Sequence, residues 1–384
     1  MSHTVDHHHR LVLAQPSRRT LPYRLRPASR QYTNNLGSSS VKHVALVAGS
    51  EAAAAHLRPA QIRHLRLLLL GRRCLLRPAP VRVLGPTIWC TTAIGATYLG
   101  CAAYEVYNDV QEVKNGRSRS GWLSSSSSSM TFEQLEAERA LSHVRGSYWG
   151  HGQQNPRRSS AVDAWQPAWL TNSSVVVRAA LCTNAGIFAL NNLIPSTWDY
   201  FAHVAASGRN YTLFTSMFGH AGLLHLGFNM YALTQFAPHV QQNKIFQGSN
   251  SHFAAFYLGS GLAASLGHHL STVWPNPAGR LSAGLGASGA IMAILASFAM
   301  ANPHAEIGIM FVPGSLPAQQ ALLALTAFEL YGLFVGIPWL PLGHAAHLTG
   351  LAVGAAYVHF DGRRYLWTPT RRLAFHSMRR FKMI

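Results

Sequence analysis

An all-α bundle of membrane-crossing helices is the fold class this sequence predicts, and three observations predict it. Apolar residues make up 48% of the 384-residue chain and charged residues 12%, about half the usual quarter. The apolar residues gather in seven runs of about 17–21 residues, near the length at which a helix crosses about 30 Å of hydrocarbon. Inside those runs three compact groups carry polar side chains of chemical interest: Gly286-Ala287-Ser288-Gly289, Ala346-His347-Leu348-Thr349-Gly350, and His225 with Asn229. Hydrocarbon tolerates idle polar groups poorly, so such groups invite a functional reading.

The mean hydropathy of only +0.07 reflects a polar N-terminal third that dilutes a strongly apolar remainder. Residues 1–82 hold 14 Lys/Arg against Asp6 and Glu51, a net +12, whereas residues 83–384 carry the other +7 of the +19 total. The excess is therefore no basic face with interleaved aromatics, and no nucleic-acid partner is expected. Residues 1–83 instead read as a mitochondrial transit region, Arg-rich, Ser-bearing and poor in acid.

The first apolar run, 84–104, is predicted to form an extra transmembrane helix. A polar linker, 105–173, follows, with seven acids against seven Lys/Arg and the serine run Ser124–Ser129, flexible by composition. Within it Thr131 and Gln134 have capping-box spacing for a short surface helix through Arg145. Runs at 174–194, 221–241, 252–271, 283–302, 316–336 and 344–360 make a six-helix domain over 174–360. Between the first two of these, the stretch 195–220 carries Trp198, Tyr200, Phe201, Tyr211, Phe214 and Phe218, aromatic enough for an interfacial loop or a lid. A basic tail, 361–384, ends the chain. Cys74, Cys90, Cys101 and Cys182 have no zinc spacing, and no metal or cofactor is expected.

Elimination narrows the chemistry. The chain has no His-Glu-x-x-His helix for a metalloprotease and no Asp within any apolar run for an aspartyl protease. Ser288 with His347 remains: an imidazole that takes the proton of a serine hydroxyl makes it a nucleophile. Gly286 and Gly289 flank Ser288 at the start of its run, where small residues leave the hydroxyl open and a helix start offers free N–H groups to a developing oxyanion. His347, Gly350 and Gly354 share one helix face, and the two glycines would bring His347 against a neighbouring helix. His225 and Asn229, at i,i+4, are either a structural interhelical hydrogen bond or oxyanion donors. His344, one turn before His347, is expected at the membrane surface in contact with water. Glu329 lies mid-run without an assigned role, and no carboxylate is placed to orient His347, which predicts a dyad.

The order His225-x-x-x-Asn229, Gly286-Ala287-Ser288-Gly289 and Ala346-His347-x-x-Gly350 resembles the rhomboid intramembrane serine proteases. Asn229-Met230-Tyr231-Ala232-Leu233 and His344-Ala345-Ala346-His347-Leu348 look like the mitochondrial inner-membrane (presenilin-associated, rhomboid-like) branch, which also has one span before a six-helix core. Tyr211-Thr212 and Met292 stand where many other rhomboids have Trp-Arg and Tyr. The resemblance implies Ser288 as nucleophile, His347 as base, and His225, Asn229 and the Ser288 amide as oxyanion hole. It implies a multi-pass protein of the mitochondrial inner membrane, surrounded by lipid bilayer, that cleaves single-span membrane substrates within or beside their transmembrane segments. The alternative is a catalytically silent scaffold that binds membrane clients.

Overall fold

The computed structural model describes residues 81–119, 130–150, 174–308, 314–337 and 342–384. The expected transit region lies outside them but for its last three positions, as does the serine run. Helices dominate the described residues, in keeping with the all-α class: α1 (Leu84–Arg119), α2 (Phe132–Gly150), α3 (Val175–Leu193), α4 (Leu223–Gln242), α5 (Asn250–Ser271), α6 (Ser288–Ala301), α7 (Ala318–Phe334), α8 (His344–His359) and α9 (Thr368–Arg380). Among the described residues no helix is both long and apolar enough to cross a membrane. The helix α6, for example, has 14 residues, about 21 Å at 1.5 Å per residue. This departs from the expectation that each run is of bilayer length.

The fifth run was expected to be helical from 283, yet α6 begins at Ser288. The residues before it are otherwise engaged: strand β2 (Ala283–Gly284) pairs antiparallel with β1 (His203–Val204) from the 195–220 stretch. That stretch also accepts the Gly286 N–H on the carbonyl of Ser216, at 2.9 Å. The aromatic loop thus grips the segment that leads into Ser288. His203 within it contacts Thr212 Oγ1 through Nδ1 (2.8 Å) and His269 of α5 through Nε2 (2.9 Å). His269 Nε2–H in turn donates to the Arg82 carbonyl at 2.7 Å, so two imidazoles join the loop, α5 and the entry to α1.

The centre of the bundle is α5. It buries residues on all sides, among them Phe253, Phe256, Tyr257, Leu262 and Ala264, as a helix surrounded by others must. A Cβ at its Gly259 would stand 2.8 Å from the Tyr98 ring of α1, so α1 lies close against it. Along α1, Tyr98, Ala102, Val106 and Val110 are buried at four-residue spacing, one stripe turned to the core.

Two boundaries read from the sequence need correction. Residues 105–173 are not linker throughout, because α1 runs on to Arg119 and α2 follows; residues 361–384 are not merely a tail, because they fold into α9. The physical reason is a polar cluster that composition does not reveal. Glu105 and Asp109, one turn apart on α1, face Arg139 of α2 and Arg371 of α9. Arg139 lies 2.7 Å from Glu105 and 3.0 Å from Asp109; Arg371 Nε is 3.0 Å from Glu105, and its other nitrogens reach Asp109 and Glu136. The Ser249 hydroxyl, which caps α5, donates to Glu105. Val106, Val110, Phe132, Leu135, Phe375 and Met378 make an apolar cluster beside these charges. The expected capping box is present, with Thr131 N–H donating to Gln134 Oε1 (2.9 Å) and Gln134 N–H to Thr131 Oγ1 (3.3 Å).

Arg371 is 1% exposed, and removing one partner from a buried ion cluster strands the others. Arg371→Met is therefore expected to lower unfolding free energy by about 3–5 kcal/mol in detergent. Arg372→Met, at an exposed pair with Glu133, should change it little. Burial, with His269 and His268 alongside, pushes the His203 imidazole down to about 3 from an ordinary 6.5. The neutral ring thus stabilises the fold above about pH 6.5, and this contribution fades as pH falls towards 3. Melting temperatures of wild type and His203→Gln, compared from pH 7 to 4, should converge on acidification.

Candidate active site

Ser288 opens α6, following Ala287 (φ −73°, ψ −7°) and Gly286, whose φ of 121° lies in the region glycine alone enters freely. The first N–H groups of a helix have no intrahelical acceptor, so the hydroxyl sits among free donors at the positive end of the helix dipole. His347 lies in the first turn of α8, and its Nε2 is 2.8 Å from Ser288 Oγ.

Glycines account for that distance. A Cβ at Gly350 would run into the carbonyl oxygen of Gly289, and one at Gly354 into that of Ala293. Thus α8 lies on the backbone of α6, start beside start, with Ser297 Oγ–H donating to the Gly354 carbonyl at 3.2 Å further along. Gly289 has its own close neighbour, since a Cβ there would strike Ala264 of α5. Of the four glycines singled out in the sequence, Gly350 and Gly354 thus meet backbone, while Gly286 and Gly289 lie against the His225 ring and the Ala264 side chain.

Glu329 of α7 was left without a role, and the expectation that no carboxylate orients His347 is corrected here. Glu329 Oε1 lies 2.8 Å from His347 Nδ1, and Oε2 lies 2.6 Å from His344 Nδ1. Glu329 is 1% exposed and His344 8%, so His344 is not the surface group it was expected to be. Its ring occupies the place a Cβ of Gly332 would take. A carboxylate accepts only, so His347 carries its proton on Nδ1 and turns a lone pair on Nε2 towards the Ser288 O–H. Such an array can draw the hydroxyl proton to Nε2 while the carboxylate steadies the imidazolium that results.

His225 and Asn229 of α4 stand on the other side of Gly286. A Cβ built at Gly286 would lie 2.9 Å from His225 Nε2 and 3.8 Å from Ser288 Oγ, so both groups border one small space. His225 Nδ1 accepts the Ala221 N–H at 3.4 Å, which leaves the ring proton on Nε2, facing that space. Asn229 is 6% exposed, and its Nδ2 donates to the His225 carbonyl at 2.7 Å within its own helix. The structure brings Ser288, His347 and His225 together, while Asn229, one turn further along α4, is engaged within its own helix. Reasoning from sequence missed Glu329 and His344. The available signal was Glu329 and Gly332 on one face of an otherwise apolar run, a hint that this face meets something polar. Among the described residues no group of three His, Cys, Asp or Glu is placed to hold a metal ion.

Residues 207–364 of the chain match the family model described as a rhomboid domain. Across 211 residues it is 32% identical to presenilin-associated rhomboid-like protein A, mitochondrial, of Danio rerio, covering 51% of this chain and 52% of that one. It is 32% identical over 197 residues to the Homo sapiens presenilin-associated rhomboid-like protein, mitochondrial (48% and 49%). It is 31% identical over 195 residues to Rhomboid protein 1, mitochondrial, of Saccharomyces cerevisiae (49% and 53%). The chain spans about half the length of the curated relatives it matches.

The contact of α8 with α6 is the most sensitive point of the site. Gly350→Ala places a methyl group against the Gly289 carbonyl, and overpacking of this kind costs about 1–3 kcal/mol. Lower thermal stability is expected, along with weaker labelling of Ser288 by a fluorophosphonate probe, because Ser288 and His347 move apart.

Proposed function

We propose that this chain is an intramembrane serine protease of the mitochondrial inner membrane, with Ser288 as nucleophile and His347 as general base. One observation carries the reading: the 2.8 Å contact of Ser288 Oγ with His347 Nε2 at the start of a buried helix, with Glu329 behind the imidazole. Ser288 Oγ attacks the scissile carbonyl carbon as its proton passes to Nε2. The carbonyl oxygen becomes an oxyanion held by the Ser288 N–H and His225 Nε2–H, with the second amide hydrogen of Asn229 as a further donor. Collapse of the tetrahedral species releases the amine, which takes the proton from His347, and water resolves the acyl-enzyme by the same steps in reverse.

The surface of the bundle supports the proposed substrate class. Leu223, Leu224, Phe228 and Tyr231 of α4, and Leu323, Leu330, Tyr331 and Phe334 of α7, are exposed. Apolar surface on this scale suits a lipid environment, which supports the reading that the bundle sits in the bilayer and takes single-span membrane proteins that enter sideways. The mitochondrial names of the relatives and the Arg-rich residues 1–83 support the inner membrane as its location. Glu329 makes the working array three residues rather than a bare dyad.

Purified protein in liposomes containing a tagged single-span inner-membrane substrate tests the reading. Wild type is expected to cut within or beside the transmembrane segment, and Ser288→Ala and His347→Ala are expected to lose cutting while remaining folded. Folded wild type that cleaves no member of a substrate panel and takes no fluorophosphonate label would instead indicate a client-binding scaffold.

A further inference from the structure

We propose that His344 is a positioning residue: its Nδ1–H, donated to Glu329 Oε2, keeps that carboxylate anionic and so holds His347 in the tautomer that can accept the Ser288 proton. The proposal rests on the reading of Ser288 and His347 given above and extends it to a residue that does not touch the reacting atoms.

Glu329 has both of its carboxylate oxygens engaged. Each of its oxygens takes one imidazole N–H, at 2.8 Å from His347 and 2.6 Å from His344. Among the described residues these two imidazoles are its ion-pair partners, and no Lys or Arg stands beside it. The other buried residues of α7 are Ala318 and Gly332, and half-buried Thr326 donates to the Leu322 carbonyl, so its own helix brings no further buried polar group. The titratable groups that face the pair are His347 on α8 and, beyond it, His225 of α4 and His268 of α5, both within electrostatic reach of His347. The ring of Phe328 flanks His344, with centroids 6.0 Å apart. His344 itself enters the core only because residue 332 is glycine.

A buried carboxylate takes up a proton unless hydrogen bonds stabilise its charge. With both N–H donors in place it remains an acceptor, and the His347 proton remains on Nδ1. Take away the His344 donor, and the Glu329–His347 pair binds an extra proton more readily. That proton has two resting places. On His347 it gives the imidazolium; on Glu329 it gives a carboxylic acid that donates to Nδ1 and drives the ring proton to Nε2. Either way Nε2 carries hydrogen and cannot accept from Ser288. His344 therefore sets the pH above which the base is available, without contact with substrate.

Three variants separate this role from packing. His344→Asn returns an amide N–H near the position of Nδ1, whereas His344→Leu fills the space without a donor. In the liposome assay, His344→Asn is expected to cleave within a few-fold of wild type with the same pH midpoint. His344→Leu should be slower at pH 7 by about 10-fold or more and recover as pH rises, its midpoint displaced upward by about one unit, which is a factor of 10 in proton affinity. In a Glu329→Gln background, His344→Leu should have no further effect on the midpoint.

Histidine NMR on 15N-labelled protein in micelles, with His347→Gln for assignment, reads the same property without turnover. The His347 ring is expected to take up its proton at higher pH in His344→Leu than in wild type. An unchanged His347 titration in folded His344→Leu, or a rate loss equal at every pH, overturns the proposal. Absence of cleavage by wild type, or cleavage that survives Ser288→Ala, overturns the proposed function instead, and the NMR titration still decides the role of His344.

Discussion

The approach of α8 to α6, backbone against backbone, is the contact on which the rest of this structure depends. Gly350 and Gly354 lie over the carbonyls of Gly289 and Ala293, and no larger residue fits at either place without parting the helices. Ser288 and His347 head these two helices, start beside start, so their 2.8 Å contact follows from the glycine contacts one turn below. Small-residue interfaces gain dispersion and polar contacts through close approach. Here the same close approach sets the distance between Ser288 and His347.

A second constraint comes from charge. Glu329 is almost wholly buried and shared between two imidazoles of one helix. It is the polar group by which α7, otherwise turned outward with large apolar side chains, is joined to α8. One carboxylate thereby has two consequences: it docks α7 on the core and it fixes which nitrogen of His347 carries hydrogen. Any displacement of α7 would release the imidazole as well, so the packing of this helix and the placement of the His347 proton are linked through a single residue.

Around this centre the chain supplies support from two sides. The 195–220 stretch grips the segment before Ser288 through the β1–β2 pairing and the Gly286–Ser216 bond, which holds Gly286 in the conformation that opens the space between Ser288 and His225. On another side, Glu105, Asp109, Arg139 and Arg371 tie α1, α2 and α9 into one assembly that reaches the cap of α5 through Ser249. Since α5 is the axis on which α1, α6 and α8 pack, this cluster steadies the site although none of its members lies in it.

The sequence by itself determined the helical class, the approximate place of most helices, and the group of Ser288, His347, His225 and the four glycines, because each of those signals is local. Apolar runs have helix length, small residues recur at helical spacing, and a polar side chain in an apolar run is conspicuous wherever it falls. Only the tertiary structure decided that Glu329 faces His344 and His347, that residues 105–119 and α9 share an ion cluster, and that Asn229 bonds first to its own helix. Those facts depend on how helices are rotated and which of them are neighbours. Glu329 lies 15 and 18 residues from its two partners, on a different helix, and Arg371 lies more than 200 residues from the acids it meets. No periodicity within one helix encodes the rotation of another, so such pairings become visible only once the bundle is assembled.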